Sequence, residues 1–126
     1  MAKNICQCPQ PPGGIVECEA DQLAICRSVN GEIQTACLDA PSHLRLTPNS
    51  TLQDRKRYCN WVLTQVTGEE RPLSAELQSE HVTVLQGGVY EDSARGEIVM
   101  FRLPDSIAGT LGLLMPASGK ASAGAY

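Results

Sequence analysis

The sequence predicts a small α+β protein: a β-rich amino-terminal segment, one main helix and a carboxy-terminal β-hairpin. Three observations predict it. Asn30-Gly31 lies between two runs of partly alternating residues and favours a two-residue type I′ turn, in which both central positions take positive φ. Leu52, Tyr58, Cys59, Val62, Leu63 and Val66 approximate a helical apolar stripe. Residues 81–85 alternate as a strand does, and residues 96–103 are the strongest strand signal of the second half.

Taken in chain order, Pro9, Pro11 and Pro12 stiffen the backbone before Gly13-Gly14 releases it as a hinge. Residues 15–18 read as a short strand. The hairpin arms are 24–29 and 32–37, with Val29 opposite Glu32, Ile25 opposite Ala36, Cys26 opposite Thr35 and Ala24 opposite Cys37. Cys26 and Cys37 then share one face. A competing reading makes Glu19 to Arg27 a short helix that Asn30-Gly31 closes.

Residues 40–50, with Pro41 and Pro48, form a loop. Ser50 or Thr51 starts the main helix, Gln53 or Asp54 completes a capping box, and Gly68 ends it. Trp61 sits beside the stripe. Beyond Pro72, Gly87-Gly88 break the 81–85 strand and Pro104 ends the 96–103 strand, so the two pair as a hairpin packed on the helix. The expected organisation is a cysteine-rich subdomain over residues 1–40, a helix-plus-hairpin subdomain over 41–116, and a flexible tail over 117–126 whose residues are small and polar.

The 126-residue chain suits one modest domain or two small subdomains. Residues 1–40 contain no aromatic residue, so apolar burial alone is a thin source of stability there. Five of the six cysteines fall in that segment: Cys6, Cys8, Cys18, Cys26 and Cys37, with Cys59 apart. Structural zinc needs four ligands converging from local hooks, and Cys6-Gln7-Cys8-Pro9 offers one hook while the hairpin offers another. The expected metal ligands are four of Cys6, Cys8, Cys18, Cys26 and Cys37, with His43 an outside candidate, and the expected cofactor is a structural Zn2+ that folds a zinc-stabilised β-meander. Residues 6–37 are loosely similar to small zinc-ribbon and zinc-finger modules, although the spacing matches no named family.

Disulfides are the main alternative, since six cysteines is an even number and allows fifteen connectivities. An iron–sulfur cluster is disfavoured by the absence of ferredoxin spacings. The amino terminus, Met1-Ala2-Lys3-Asn4, lacks an apolar leader region, which sets the expected location as cytoplasmic and the expected thiols as reduced. Cys59, on the helix stripe, reads as a packed thiol; a nucleophilic role would need His43 or His81 as a base.

The net charge of −4 argues weakly against nucleic acid. Residues 1–40 carry two basic and five acidic residues, whereas Arg55-Lys56-Arg57 is the one sharp basic feature and reads first as a solvated helix face. No apolar run is long enough to span a membrane. Gly112 to Lys120 fails the phosphate-loop spacing, and Ile107 to Met115 reads as a segment packing back on the domain or docking in a groove. With no catalytic constellation, the expected function is a metal-stabilised binding or adaptor module with a protein partner. A thiol- or metal-dependent enzyme and a disulfide-stabilised exported domain are the alternatives.

Overall fold

The computed structural model describes residues 3–69 and 77–108. The proposed tail over 117–126, the Gly112–Lys120 segment and Leu111 to Met115 lie outside the described residues. Ten elements are described: strands β1 (Asn4–Gln7), β2 (Ile15–Cys18), β3 (Leu23–Val29) and β4 (Glu32–Leu38), a 3-10 turn (Ser42–Leu44), helices α1 (Leu52–Thr67) and α2 (Ser79–Gly87), strands β5 (Val89–Asp92) and β6 (Glu97–Arg102), and the short helix α3 (Asp105–Ala108). The fold is mixed α+β. β1 and β2 form a two-stranded antiparallel sheet; the other strands form a four-stranded antiparallel sheet in the order β4-β3-β6-β5.

β3 organises the molecule because it is paired on both sides and covered on both faces. Its residues alternate between two cores. Leu23 and Ile25 pack with Tyr58, Cys59, Val62, Leu63 and Val66 of α1, with Val82 and Leu85 of α2, and with Val99 and Phe101 of β6. Ala24 and Cys26 belong to a second core with Cys6, Cys8, Val16 and Cys18. The layers therefore run helices, four-stranded sheet, two-stranded hairpin. Continuous burial from Leu23 to Cys26 follows from this position, since each face has its own cover.

The predicted β3–β4 hairpin forms with the expected register, Ala24 to Cys37 and Cys26 to Thr35 included. Its Asn30-Gly31 turn has φ of 52° and 86°, so both positions use the left-handed region that this dipeptide tolerates best. Helix α1 starts as its capping box requires. Thr51 accepts a bond from the Asp54 N–H at 3.1 Å, and Asp54 accepts one from the Thr51 N–H at 2.9 Å. Gly68 closes the helix at φ 77°. Leu52 departs from the predicted stripe and is exposed, because it precedes the turn that first meets the sheet.

The expected strand at 81–85 is instead part of helix α2. The alternation of Val82, Val84 and Leu85 is compatible with either period, and tertiary packing decides it: Val82 and Leu85, three apart, are the buried pair. Gly88 then ends the helix at φ 68° and its carbonyl accepts the Phe101 N–H at 2.9 Å. A Cβ on Gly88 would lie 2.8 Å from the Phe101 carbonyl oxygen, so only glycine lets the chain leave α2 and enter the sheet edge in one step. The hairpin partner of β6 is consequently β5, while β3 pairs with its other edge. The expected single β-meander is also corrected, for β1–β2 and β3–β4 belong to separate stacked sheets.

Candidate functional site

Four of the five amino-terminal cysteines join the two sheets. Cys8 is bonded to Cys26 and Cys18 to Cys37, with Cα separations of 5.2 and 5.4 Å. Sequence reasoning placed Cys26 and Cys37 on one face of the β3–β4 hairpin, and that is where they lie. Each meets a different part of the β1–β2 hairpin above it, Cys8 following β1 and Cys18 ending β2.

The expectation of a structural zinc is therefore corrected. The sulfurs that would have converged on one ion are divided between two covalent pairs, and disulfide sulfur is not a thiolate ligand. Among the described residues, no group of three or more His, Cys, Asp or Glu side chains is placed to hold a metal ion. The zinc-ribbon-like description falls with it. The cytoplasmic expectation is corrected as well: two intramolecular disulfides point to an oxidising compartment, such as that met by an exported protein.

Cys6 and Cys59 are free and buried. They lie in different cores on opposite faces of β3, which keeps them from pairing. Two ties explain why Cys6 has no sulfur partner. At one end of β1 the Asn4 side-chain amide donates to the Gln22 and Arg102 carbonyls at 2.8 and 2.9 Å; at the other, Cys8 is bonded to Cys26. The ties span equal lengths of chain, from 4 to 8 and from 22 to 26, and between them Cys6 shares its core with Ala24, which offers no sulfur. Burial raises the Cys6 thiol above its ordinary value, partly offset by the Arg102 guanidinium. Burial alone pushes the Cys59 thiol up to about 12, which opposes the nucleophilic role weighed for it.

The latched hairpin turns its other face outward. Cys6 pairs in register with Val16, and both are buried; Ile5 pairs with Glu17 and Gln7 with Ile15, and all four are exposed. Ile5 and Ile15 are thus diagonal neighbours on one surface, 41% and 61% exposed. Glu17, on β2 opposite Ile5, shares that face, and Glu19, just beyond β2, pairs with Lys3. The Glu19 interaction holds the Lys3 ammonium above its ordinary value.

A concavity of about 500 Å3 opens where the 39–48 loop, α1 and α3 meet. Asp21, Asp39, Arg45, Arg55, Tyr58 and Ile107 are among its walls. The basic triplet that the sequence singled out does not act as one patch. Arg55 turns to this cleft, while Arg57 pairs with Asp54 at 3.7 Å. Successive helical residues diverge by about 100°, which is why adjacency in sequence did not become adjacency on the surface. No family model, curated protein or solved structure matches the chain.

Proposed function

We propose that this chain is a disulfide-stabilised, exported binding domain that recognises a basic protein segment through the outward face of the β1–β2 hairpin. The observation that carries the reading is the diagonal placement of exposed Ile5 and Ile15 on one face of a hairpin fastened beneath by two disulfides. A surface held covalently loses little conformational entropy when it binds, so even a small apolar contact is used efficiently. The surrounding charge supports a cationic partner, since residues 1–40 carry a net −3 and Glu17 shares the isoleucine face.

The test is a titration of isotope-labelled protein with a synthetic peptide alternating lysine and leucine, followed by amide chemical shifts. Shifts concentrated on residues 5–7 and 15–17, weakened by salt and abolished in Ile15→Asp at unchanged melting temperature, support the reading. Shifts scattered over the surface, or centred on the 39–48 loop, overturn it.

A further inference from the structure

We propose that the Cys18–Cys37 disulfide is a thiol-exchange site, attacked by a low-molecular-weight thiol at the Cys37 sulfur, whereas Cys8–Cys26 is inert. The two bonds differ in access. Cys8 and Cys26 are 5% and 0% exposed, and Cys18 is 2% exposed, but Cys37 is an exposed residue. Cys37 owes this to its place on β4, which among the described residues is the edge strand of the four-stranded sheet with no further strand beyond it. Exchange depends on which sulfur a thiolate can reach, and of the four bonded sulfurs only that of Cys37 belongs to an exposed residue.

The step balances without another reactant. The incoming thiolate forms a sulfur–sulfur bond to Cys37 as the Cys37–Cys18 bond breaks, and its sulfur is oxidised to the mixed-disulfide level. Cys18 leaves as a thiolate, is thereby reduced, and takes a proton from solvent. The Ala36 carbonyl oxygen lies 3.7 Å from the Cys18 sulfur and stands ready to accept the new S–H. A second thiolate equivalent attacking the mixed disulfide yields the Cys37 thiol and the external disulfide.

The structural consequence is one-sided. β1 stays fastened through Cys8–Cys26, while β2, which carries Ile15, loses its covalent tie to β4. If the outward hairpin face is the binding surface proposed above, exchange at Cys37 loosens half of it; this clause alone rests on that reading.

The experiment treats the folded, oxidised protein with reduced glutathione, quenches with acid, alkylates free thiols and maps every cysteine by fragmentation mass spectrometry. The expected result is glutathione on Cys37 and alkylated Cys18, at least tenfold faster than any labelling of Cys8 or Cys26. Equal rates for the two disulfides, earlier opening of Cys8–Cys26, or glutathione on Cys18 overturns the proposal. A second arm exposes Cys18→Ala and Cys37→Ala to glutathione disulfide without denaturant. Modification of Cys37 in the first and protection of Cys18 in the second is expected, and the reverse order overturns the proposal. Neither arm reads partner binding, so failure here is distinguishable from failure of the binding-face reading. The wild-type mapping remains decisive where a variant does not fold.

Discussion

Arg27 and Glu97 form an ion pair between neighbouring strands of the main sheet, Nη1 to Oε1 at 3.2 Å, with side chains 19% and 9% exposed. In register Arg27 faces Val99 and Val29 faces Glu97, so the two are diagonal neighbours on the helix side of the sheet. Arg27 also donates to the carbonyls of Gln65 and Val66 at 2.9 and 3.2 Å. Those carbonyls belong to the last turn of α1, whose orphan acceptors and negative dipole end favour a cation. One guanidinium therefore fixes the end of the helix to the sheet.

Arg27→Met removes the ion pair and both carbonyl bonds together and leaves Glu97 buried without its cation. The expected loss is about 2–3 kcal/mol, below the range for a fully buried pair because Arg27 is partly solvated. Urea denaturation should show a lower midpoint with an unchanged slope. Glu97→Gln should lose less, since Arg27 keeps its carbonyl acceptors; a loss as large as that of Arg27→Met would contradict the assignment.

Thr51→Ala opens the capping box and should lower stability by about 1 kcal/mol. The Asp54 carboxyl is held below its ordinary value of 3.8, first by the Thr51 backbone N–H, then by the Thr51 hydroxyl, and also by Arg57. A depressed carboxyl stabilises the fold above its unfolded value and loses that contribution as pH falls through its lower folded value. The gap between wild type and Thr51→Ala in urea midpoint should accordingly be widest near neutrality and narrow below pH ~4.

Ala24→Cys adds a sulfur to the core that holds Cys6 and should create a third disulfide. Of seven cysteines only Cys59 would then titrate as a thiol in denaturant. The expected gain is roughly 2–4 kcal/mol, the usual range for a bond closing a loop of this length. Three free thiols in the purified variant would show that β1 is not positioned over β3 as described.

Cys59 should resist alkylation in the native protein and react only on unfolding. Its folded value of about 12 stands above the ordinary 9.0, so the folded state holds the proton more tightly than the unfolded one. Its contribution is full below pH ~9 and fades as pH rises towards the folded value. Tyr58, also pushed up to about 12 by burial, fades in the same direction. The difference between wild type and Cys59→Val in urea midpoint, compared at pH 7 and 10.5, isolates the thiol; wild type should lose more.

Local chemistry made much of this fold legible. The β3–β4 register follows from two residues, Asn30 and Gly31, and the start and end of α1 from Thr51, Asp54 and Gly68. What failed was non-local. Residues 81–85 carry a pattern that both periods accept, and the choice was made by packing against α1 and by Gly88 meeting Phe101. The cysteines failed in the same way. Their shared face was readable, but whether a neighbouring sulfur is a co-ligand or a bonding partner depends on which strand lies above it. Asn4 sets that stacking by reaching Gln22 and Arg102, a contact with no sequence signature. Ile5 and Ile15 became a candidate surface only when the hairpin's inward face was seen to be occupied.

Cysteine mapping under denaturing, non-reducing conditions tests the central claim most directly, using protein recovered from an oxidising compartment. The disulfide-latched account predicts two titratable thiols, Cys6 and Cys59, with Cys8 linked to Cys26 and Cys18 to Cys37. Six titratable thiols, or any other connectivity, would contradict it.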